Sequence, residues 1–245
     1  MKFLLVSDQI DPLVYSQTVR ERYQDIDAVF AAGDLSMEYV DFIVDSLNKP
    51  SYFVFEEYNF YRKKGMFEQT PFAAFQDMNK GHGADYAGNR IIKCRHLAVK
   101  GADGKTTPLL IAGVSGSMRY NNGQAQFTEK QMKRQLLALA PALWWNKIRY
   151  GRYCDIFLTH ASPRHIHDKE DPCHKGFECF NWFIKKYSPS LMIHGHIHLY
   201  DLQAKRCTVA GDTTVINAYS HLVVDFQPSF KGDKFEPIIT ILSDR

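Results

Sequence analysis

The chain has 245 residues with 45% hydrophobic content, which is enough to build one sizeable buried core. Its formal net charge of +3 is a mild excess, which argues against a nucleic-acid-binding or membrane-surface protein. Five cysteines without a C-x-x-C pair favour a reducing compartment over a disulfide framework, and no apolar run reaches the roughly 20 residues of a membrane span. We therefore expect one domain, residues 1–245, in the cytoplasm.

The first part of the chain repeats one pattern three times. Residues 2–8, 27–34 and 50–57 each contain a short apolar run that ends in polar or acidic residues, as buried strands do. Between the second and third runs, residues 36–49 show the i, i+3, i+4, i+7 spacing of an amphipathic helix, with Ser36 as N-cap. Strand, helix and strand joined by short loops predict a parallel sheet with helices packed on it.

The rest of the chain continues this alternation. Residues 60–90 show no clear period and are predicted to form a long surface excursion. Helices are predicted over roughly 127–148 and over 176–187. The tail alternates like antiparallel edge strands over 214–226 and 235–244. Other apolar runs predict strands within residues 90–100, 108–116, 153–163 and 191–194.

Potential metal ligands follow five of these predicted strands. In open α/β sheets, ligands bind outside the carboxyl ends of the strands. An isolated aspartate after a strand is usually a turn or capping residue, but five strand ends of this kind together favour a metal site. Carboxylates mixed with imidazoles suit Mn²⁺, Fe or Zn²⁺ better than Ca²⁺. The candidate ligands are Asp8, Asp34, Glu57, His160, His196 and His198.

Four short blocks, in a fixed order, carry a family resemblance. SDQI (7–10), AAGDLS (31–36), LTHASP (158–163) and HGHIH (194–198) resemble the blocks of the calcineurin-like metallophosphoesterases. GSMRYN (116–121) and IHDKEDPCHKGF (166–177) resemble segments of a small bacterial subgroup of that family. The resemblance implies a four-layer α-β-β-α sandwich with two mixed sheets, and one or two metal ions at the strand ends.

The resemblance also implies a role for each ligand. Asp8 and His198 match ligands of a first metal, His160 and His196 match ligands of a second, and Asp34 matches the carboxylate that bridges both. A bridging carboxylate holds two cations about 3.5–4 Å apart, so that both contact one phosphate while a bridging hydroxide attacks it. His194, which precedes the block, is interpreted as a structural histidine at a strand end.

Two blocks depart from the family pattern. The first block usually reads Asp-x-His, and here Ile10, which cannot bind a metal, stands in place of the histidine. The third block usually reads Gly-Asn-His-Asp, and its position after a strand aligns it with residues 56–59. Glu57 then becomes an anionic ligand of the second metal. Tyr58 replaces a histidine near the leaving oxygen, and a phenol with a pKa near 10 is a poor general acid.

Several further residues are weaker candidates. Gln9 or Asp11 could reach the first metal through water. The loop 165–174 is interpreted as a solvated loop, with the alternative that it is a lid whose His167 contacts the substrate phosphate. Arg119 is a candidate phosphate clamp, although a lone arginine is more often a surface charge.

These features predict a metal-dependent phosphoesterase, with a phosphodiester as the preferred small substrate. The alternative is a protein that keeps the fold, has lost turnover and acts as a binding or scaffold module; the changes at Ile10, Glu56 and Tyr58 favour it. A nuclease role has no basic stripe to support it. No membrane partner is expected, and the sequence leaves the substrate, the metal and the oligomeric state open.

Overall fold

A computed structural model describes residues 1–55, 83–100, 104–121, 125–201, 204–231 and 234–243. Within these residues the helices are α1 (Val19–Arg22), α2 (Met37–Leu47), α3 (Glu129–Ala138), α4 (Ala140–Tyr150) and α5 (Glu178–Tyr187). The first eight strands are β1 (Lys2–Ser7), β2 (Ala28–Ala31), β3 (Ser51–Phe53), β4 (Asp85–Tyr86), β5 (Arg90–Lys100), β6 (Thr106–Val114), β7 (Ser117–Met118) and β8 (Gln126–Phe127). The others are β9 (Ile156–Thr159), β10 (Leu191–His194), β11 (Cys207–Ala210), β12 (Thr213–Asn217), β13 (Ser220–Gln227), β14 (Phe230–Lys231), β15 (Lys234–Phe235) and β16 (Ile238–Ser243).

The strands form two six-stranded mixed sheets. The first has the order β16-β13-β1-β2-β3-β4, in which β1 to β4 are parallel and β13 and β16 add antiparallel pairings. The second has the order β11-β12-β10-β9-β6-β5, with β6, β9, β10 and β12 parallel. Two short pairs lie outside them: β7 and β8 are parallel, and β14 and β15 are antiparallel.

Alternation along the strands builds four layers. Phe3 and Leu5 of β1 pack between the sheets, in a core that also takes side chains from β9 and β10. Leu4 and Val6 point to the other side of the first sheet, where α2 covers them. The outer face of the second sheet, including Phe157, packs against α3, α4 and α5. The predicted α-β-β-α sandwich is therefore confirmed.

The helix predicted over 36–49 is confirmed as α2. Its N-cap is Ser36, whose side chain accepts a hydrogen bond from the backbone N–H of Tyr39 at 3.3 Å. The single helix predicted over 127–148 is instead two helices, α3 and α4, that meet at Leu139. Pro141 explains the break, because it has no N–H to donate to the carbonyl of Leu137 one turn earlier. No helix in the described part of the chain is long and apolar enough to cross a membrane.

The prediction of an edge strand over 214–226 is wrong. This segment forms β12 in the second sheet and β13 in the first, and each has a neighbour on both sides. The chain changes sheet at Ser220, whose φ is 63°. The edge strand predicted within 235–244 is confirmed over Ile238–Ser243, because β16 lies at the edge of the first sheet. The predicted surface excursion contains a strand, β4, next to β3, while residues 56–82 lie outside the described residues.

Candidate metal site

Three predicted ligands meet where parallel strands end. Asp8 follows β1, Asp34 lies just beyond β2, and His160 follows β9 of the other sheet. One ligand atom from each lies within 4.8 Å of the other two. The three residues are separated by up to 152 positions in the sequence, and only the packing of the two sheets brings them together. This cluster is the centre of the candidate site.

Asp8 joins the two sheets at this edge. Its side chain is fully buried. Its two carboxylate oxygens accept hydrogen bonds from the backbone N–H of His196, at 2.9 and 3.0 Å. Its own N–H donates to the carbonyl of Gly33 at 3.1 Å. The Asp8 carboxylate is therefore held in place by the HGHIH segment before any ligand arrives.

His160 and His196 face each other through one ring nitrogen each. In His160, Nδ1 lies 2.7 Å from the carbonyl oxygen of Ala32. In His196, Nε2 lies 2.7 Å from the carbonyl oxygen of Cys173. A carbonyl can only accept, so these two nitrogens carry the protons and donate. When both rings are neutral, the remaining nitrogens, His160 Nε2 and His196 Nδ1, are acceptors.

These two acceptors are 3.0 Å apart. Two facing lone pairs at this distance repel each other, and a shared proton, a hydrogen-bond donor or a metal ion can remove the repulsion. Backbone carbonyls that hold the opposite ring nitrogens are the usual partners of metal-binding histidines, because they fix the tautomer and the ring orientation. The arrangement of His160 and His196 is therefore compatible with a pair of metal ligands.

Ligand spacing at the site fits a small transition metal. Two atoms that bind one ion at about 2.1 Å each lie roughly 3–4 Å apart. The His160–His196 nitrogens are 3.0 Å apart, and His198 Nε2 lies 3.7 Å from Asp8 Oδ1. Burial lowers the pKa of His198, and the nearby Asp8 carboxylate raises it. The effect of burial is larger, so the net pKa is below its usual value. A low pKa favours the neutral imidazole that binds metals.

The backbone is strained at three of the predicted ligands. Asp8, Asp34 and His196 all have left-handed conformations, with φ of 63°, 55° and 68°. For residues other than glycine this costs about 1–3 kcal/mol each, and such strain clusters at functional sites. The left-handed turns let each side chain point back over the strand ends.

Glycines permit the close approach of the ligands. A Cβ at Gly33 would overlap the His160 ring, and Gly33 also has a φ of 101°. A Cβ at Gly195 would overlap the Ser7 hydroxyl and lie 2.5 Å from Asp8 Oδ2. The glycines of the AAGD and HGH segments are thus needed for space around His160 and Asp8.

The residues near the missing ligand do not replace it. Ile10 is 46% exposed, so it does not pack in the core. Asp11 instead accepts hydrogen bonds from Ser220 Oγ at 2.5 Å and His221 Nδ1 at 2.7 Å. Burial raises the pKa of Asp11, but these hydrogen bonds outweigh it and the net pKa is lowered. Asp11 therefore belongs to a separate buried network beside β13.

The other predicted residues are placed as follows. His167 contacts His194 Nε2 through Nδ1 and Thr208 Oγ1 through Nε2, both at 2.9 Å. Arg119 is exposed and donates to Gln131 Oε1 at 3.2 Å. Neither is part of the Asp8 cluster. Glu57 and Tyr58 lie outside the described residues.

His194 has the structural role that the sequence predicted. It is fully buried, and its Nδ1 donates to the carbonyl of Gly195 at 2.9 Å. Its Nε2 then accepts from His167, and the His167 Nε2 accepts from the Thr208 hydroxyl. Burial lowers the pKa of His194 to about 3 and that of His167 to about 4. This chain of hydrogen bonds is satisfied with both rings neutral.

The loop after β9, for which the sequence offers a lid only as the alternative interpretation, contributes a backbone carbonyl rather than His167 to the site. Cys173 supplies the carbonyl that orients His196, and the His174 ring centroid lies 5.3 Å from that of His196. Arg164 holds the loop through ion pairs to Asp168 at 2.6 Å and Glu170 at 2.7 Å. The loop therefore packs against the site, which favours the lid interpretation over the solvated loop. Its histidines gave the only sequence signal.

No protein-family model matches the sequence, and no curated protein matches it. Among solved structures, the chain is similar to TT1561 of Thermus thermophilus, with a TM-score of 0.59 and 15% identity over 91% of this chain and 92% of that chain. At this identity the likeness concerns the fold alone.

Two other solved structures give lower scores. An archaeal phosphodiesterase has a TM-score of 0.39 and 14% identity over 98% of this chain and 100% of that chain. A single mutant of Vps29 from Entamoeba histolytica has a TM-score of 0.38 and 11% identity over 99% of this chain and 100% of that chain. Scores this low carry no argument about this chain. From its two mixed sheets and flanking helices, the chain has a four-layer α-β-β-α sandwich, the fold that the resemblance of its sequence blocks implies.

Proposed function

We propose that this protein is a metal-dependent phosphoesterase that prefers a small phosphodiester. The observation that carries the proposal is the pair of facing acceptor nitrogens of His160 and His196, 3.0 Å apart. The carboxylates of Asp8 and Asp34 each place an oxygen within 4.8 Å of a ring nitrogen of His160 and add negative charge. Such a set of ligand atoms favours a cation, and Mn²⁺, Fe and Zn²⁺ are ions that accept both imidazole and carboxylate ligands.

One or two ions would be held by these side chains. His160, His196 and Asp34 would hold one, and Asp8, His198 and Asp34 the other. When bound, such an ion polarises the phosphate and activates water for attack. The chain's own contribution is to fix the ligands: the carbonyls of Ala32 and Cys173 orient the two rings, and the N–H of His196 orients the Asp8 carboxylate.

His174 is a second element of the proposal. Its Nδ1 donates to Asp171 Oδ1 at 2.8 Å, which orients the ring beside His196. Only a doubly protonated ring could also donate from Nε2, and in that form His174 would give a proton to the departing oxygen of the substrate, the function that the family histidine replaced by Tyr58 would have. His174→Ala should therefore slow the hydrolysis of alkyl esters more than that of aryl esters, because a phenolate of low pKa leaves without a proton donor.

The proposal is tested by metal counting and hydrolysis on the same preparation. Protein reconstituted with Mn²⁺, Fe or Zn²⁺ should retain at least one ion per chain by elemental analysis, and it should cleave aryl diesters faster than aryl monoesters. His160→Ala should lose both properties. His96→Ala removes an exposed histidine from β5 and is the matched control. Protein that retains no ion and cleaves no ester would contradict the proposal.

A binding or scaffold module remains the second candidate. The observation that favours it is Ile10, which is exposed and leaves the first metal one ligand short of the family pattern. Retention of metal with no hydrolysis of diesters or monoesters would support the scaffold role over the enzyme.

A further inference from the structure

Helices α3 and α4 expose an apolar stripe. Their inner side packs on the second sheet through residues such as Leu136 and Leu143, which are fully buried. The opposite side carries large apolar side chains that stay exposed: Leu137 at 47%, Trp144 at 49%, Trp145 at 59% and Ile148 at 77%. Exposed apolar side chains are ordinary when scattered, but a contiguous group marks an interaction surface. We call Leu137, Pro141, Trp144, Trp145 and Ile148 the α3–α4 outer face.

Positive charge surrounds this face. Over α3 and α4, residues 129–150, the sequence has five lysines and arginines and one acidic residue, Glu129, which accepts hydrogen bonds from the backbone N–H groups of Glu178 and Cys179. All five are exposed: Lys130, Lys133, Arg134, Lys147 and Arg149. The whole chain has a net charge of only +3, so these helices concentrate the basic charge while acidic residues balance it elsewhere.

Helical geometry places the two kinds of side chain together. At 3.6 residues per turn, positions 141, 145 and 148 fall on one side of α4, and Leu137 is exposed in the last turn of α3, just before the break at Leu139. On the same geometry, Lys147 lies to one side of these α4 positions and Arg149 lies to the other. The result is a strip of tryptophan, isoleucine and leucine with a basic rim.

We infer that the α3–α4 outer face binds the surface of an anionic phospholipid membrane. Tryptophan favours the boundary between hydrocarbon and water, because its ring is apolar and its N–H needs a polar partner. A basic rim complements anionic headgroups. A helix that lies in the interface with basic and aromatic side chains is the usual form of such a contact. The mild net charge of the whole chain predicts no membrane contact. The concentration of basic side chains on one face leads to the opposite conclusion.

Charge argues against a second copy of the chain on this face. In a parallel pairing, Lys130, Lys133 and Arg134 would meet their own copies. In an antiparallel pairing they would meet Lys147 and Arg149. Both arrangements place like charges together at a contact from which water is excluded, and this is unfavourable.

Vesicle binding tests the inference directly. The full chain should co-sediment with vesicles of phosphatidylcholine mixed with phosphatidylglycerol, and much less with vesicles of phosphatidylcholine alone. Binding should weaken as salt is raised, because salt screens the charges. Two of the three tryptophans lie on the face, so their fluorescence should shift to the blue on binding. Equal binding to both kinds of vesicle, or binding to neither, would overturn the inference.

Two pairs of substitutions separate the apolar and basic contributions. One variant carries Trp145→Ala with Ile148→Ala, and the other carries Arg134→Glu with Arg149→Glu. Each pair should weaken vesicle binding by roughly tenfold or more. For the arginine pair, the estimate follows because one basic residue near an anionic surface contributes roughly fivefold to the affinity. The matched controls are Val209→Ala, which shortens a side chain 69% exposed on β11, and Arg95→Glu on β5. Unchanged vesicle binding by either double variant would refute the membrane assignment. So would a dimer of the unmodified chain in analytical sedimentation that the Trp145→Ala, Ile148→Ala variant does not form.

Discussion

His196→Ala should remove most of the stabilisation that metal gives the folded protein. A metal present at 100 times its dissociation constant, and bound only by the folded state, stabilises that state by about 2.7 kcal/mol. In a chain of this length, 1 kcal/mol shifts the melting temperature by about 2–4 °C. Chelation should therefore lower the melting temperature of metal-loaded protein by about 5–11 °C.

The substitution deletes one of the two nitrogens that face each other at 3.0 Å. Loss of a partner that merely orients a ligand weakens metal binding by about 10–100-fold, so loss of the ligand itself should cost at least the upper value. Metal at the same concentration then stabilises the variant by only about 0.4 kcal/mol. The shift on chelation should fall to about 1–2 °C.

Thermal denaturation with and without chelator measures this shift. The absolute melting temperature of the variant will also fall, because His196 is buried and donates to the carbonyl of Cys173. The informative quantity is therefore the shift on chelation within each protein. His96→Ala should keep the full shift. A variant that responds like the unmodified chain, or a metal-loaded chain that is indifferent to chelator, would refute the assignment of His196 as a ligand.

Three further predictions follow from the site. Gly195→Ala should destabilise the fold by about 1–3 kcal/mol and reduce metal retention, because the new methyl group displaces Asp8; Gly211→Ala, which has open space, should lose stability without losing metal. Burial lowers the pKa of His167 from 6.5 to about 4, so the unfolded chain takes up the proton first and stability falls as pH drops from 6.5 towards 4. Urea unfolding in the presence of chelator measures the free energy of unfolding at pH 7 and at pH 5. His167→Asn should make the decrease in this free energy between pH 7 and pH 5 smaller by about 2 kcal/mol, and an unchanged decrease would contradict the prediction. Ile10→His, alone or together with Glu57→Asn, restores the family ligands and should raise metal retention towards two ions per chain. Residue 10 is exposed, so a polar ring there should destabilise the fold little. Unchanged metal stoichiometry in folded protein would exclude residue 10 as a ligand position.

Local pattern determined most of the fold. The continuous apolar run Phe3, Leu4, Leu5 and Val6 indicates a strand buried on both faces, as β1 is. The helical period of residues 36–49 predicts α2, and Ser36 predicts its N-cap. Periodicity reports which side of an element is buried but not which neighbour buries it. This is why 214–226 could not be divided between two sheets, and why β13 was placed at an edge although it lies between β1 and β16. The break at Pro141 was visible in the sequence, since proline cannot donate the helical hydrogen bond.

At the candidate site, the sequence by itself determined the ligand types and their order after successive strands. The tertiary structure decided which of them meet: Asp8, Asp34 and His160 converge, whereas Asp11 is committed to His221 and His167 to His194. It also supplied the carbonyls that set the imidazole tautomers. Backbone carbonyls are present at every residue, so no sequence pattern marks the two that orient a pair of rings. Only the folded path of the chain, with two sheets opening at one edge and a loop closing over it, selects them.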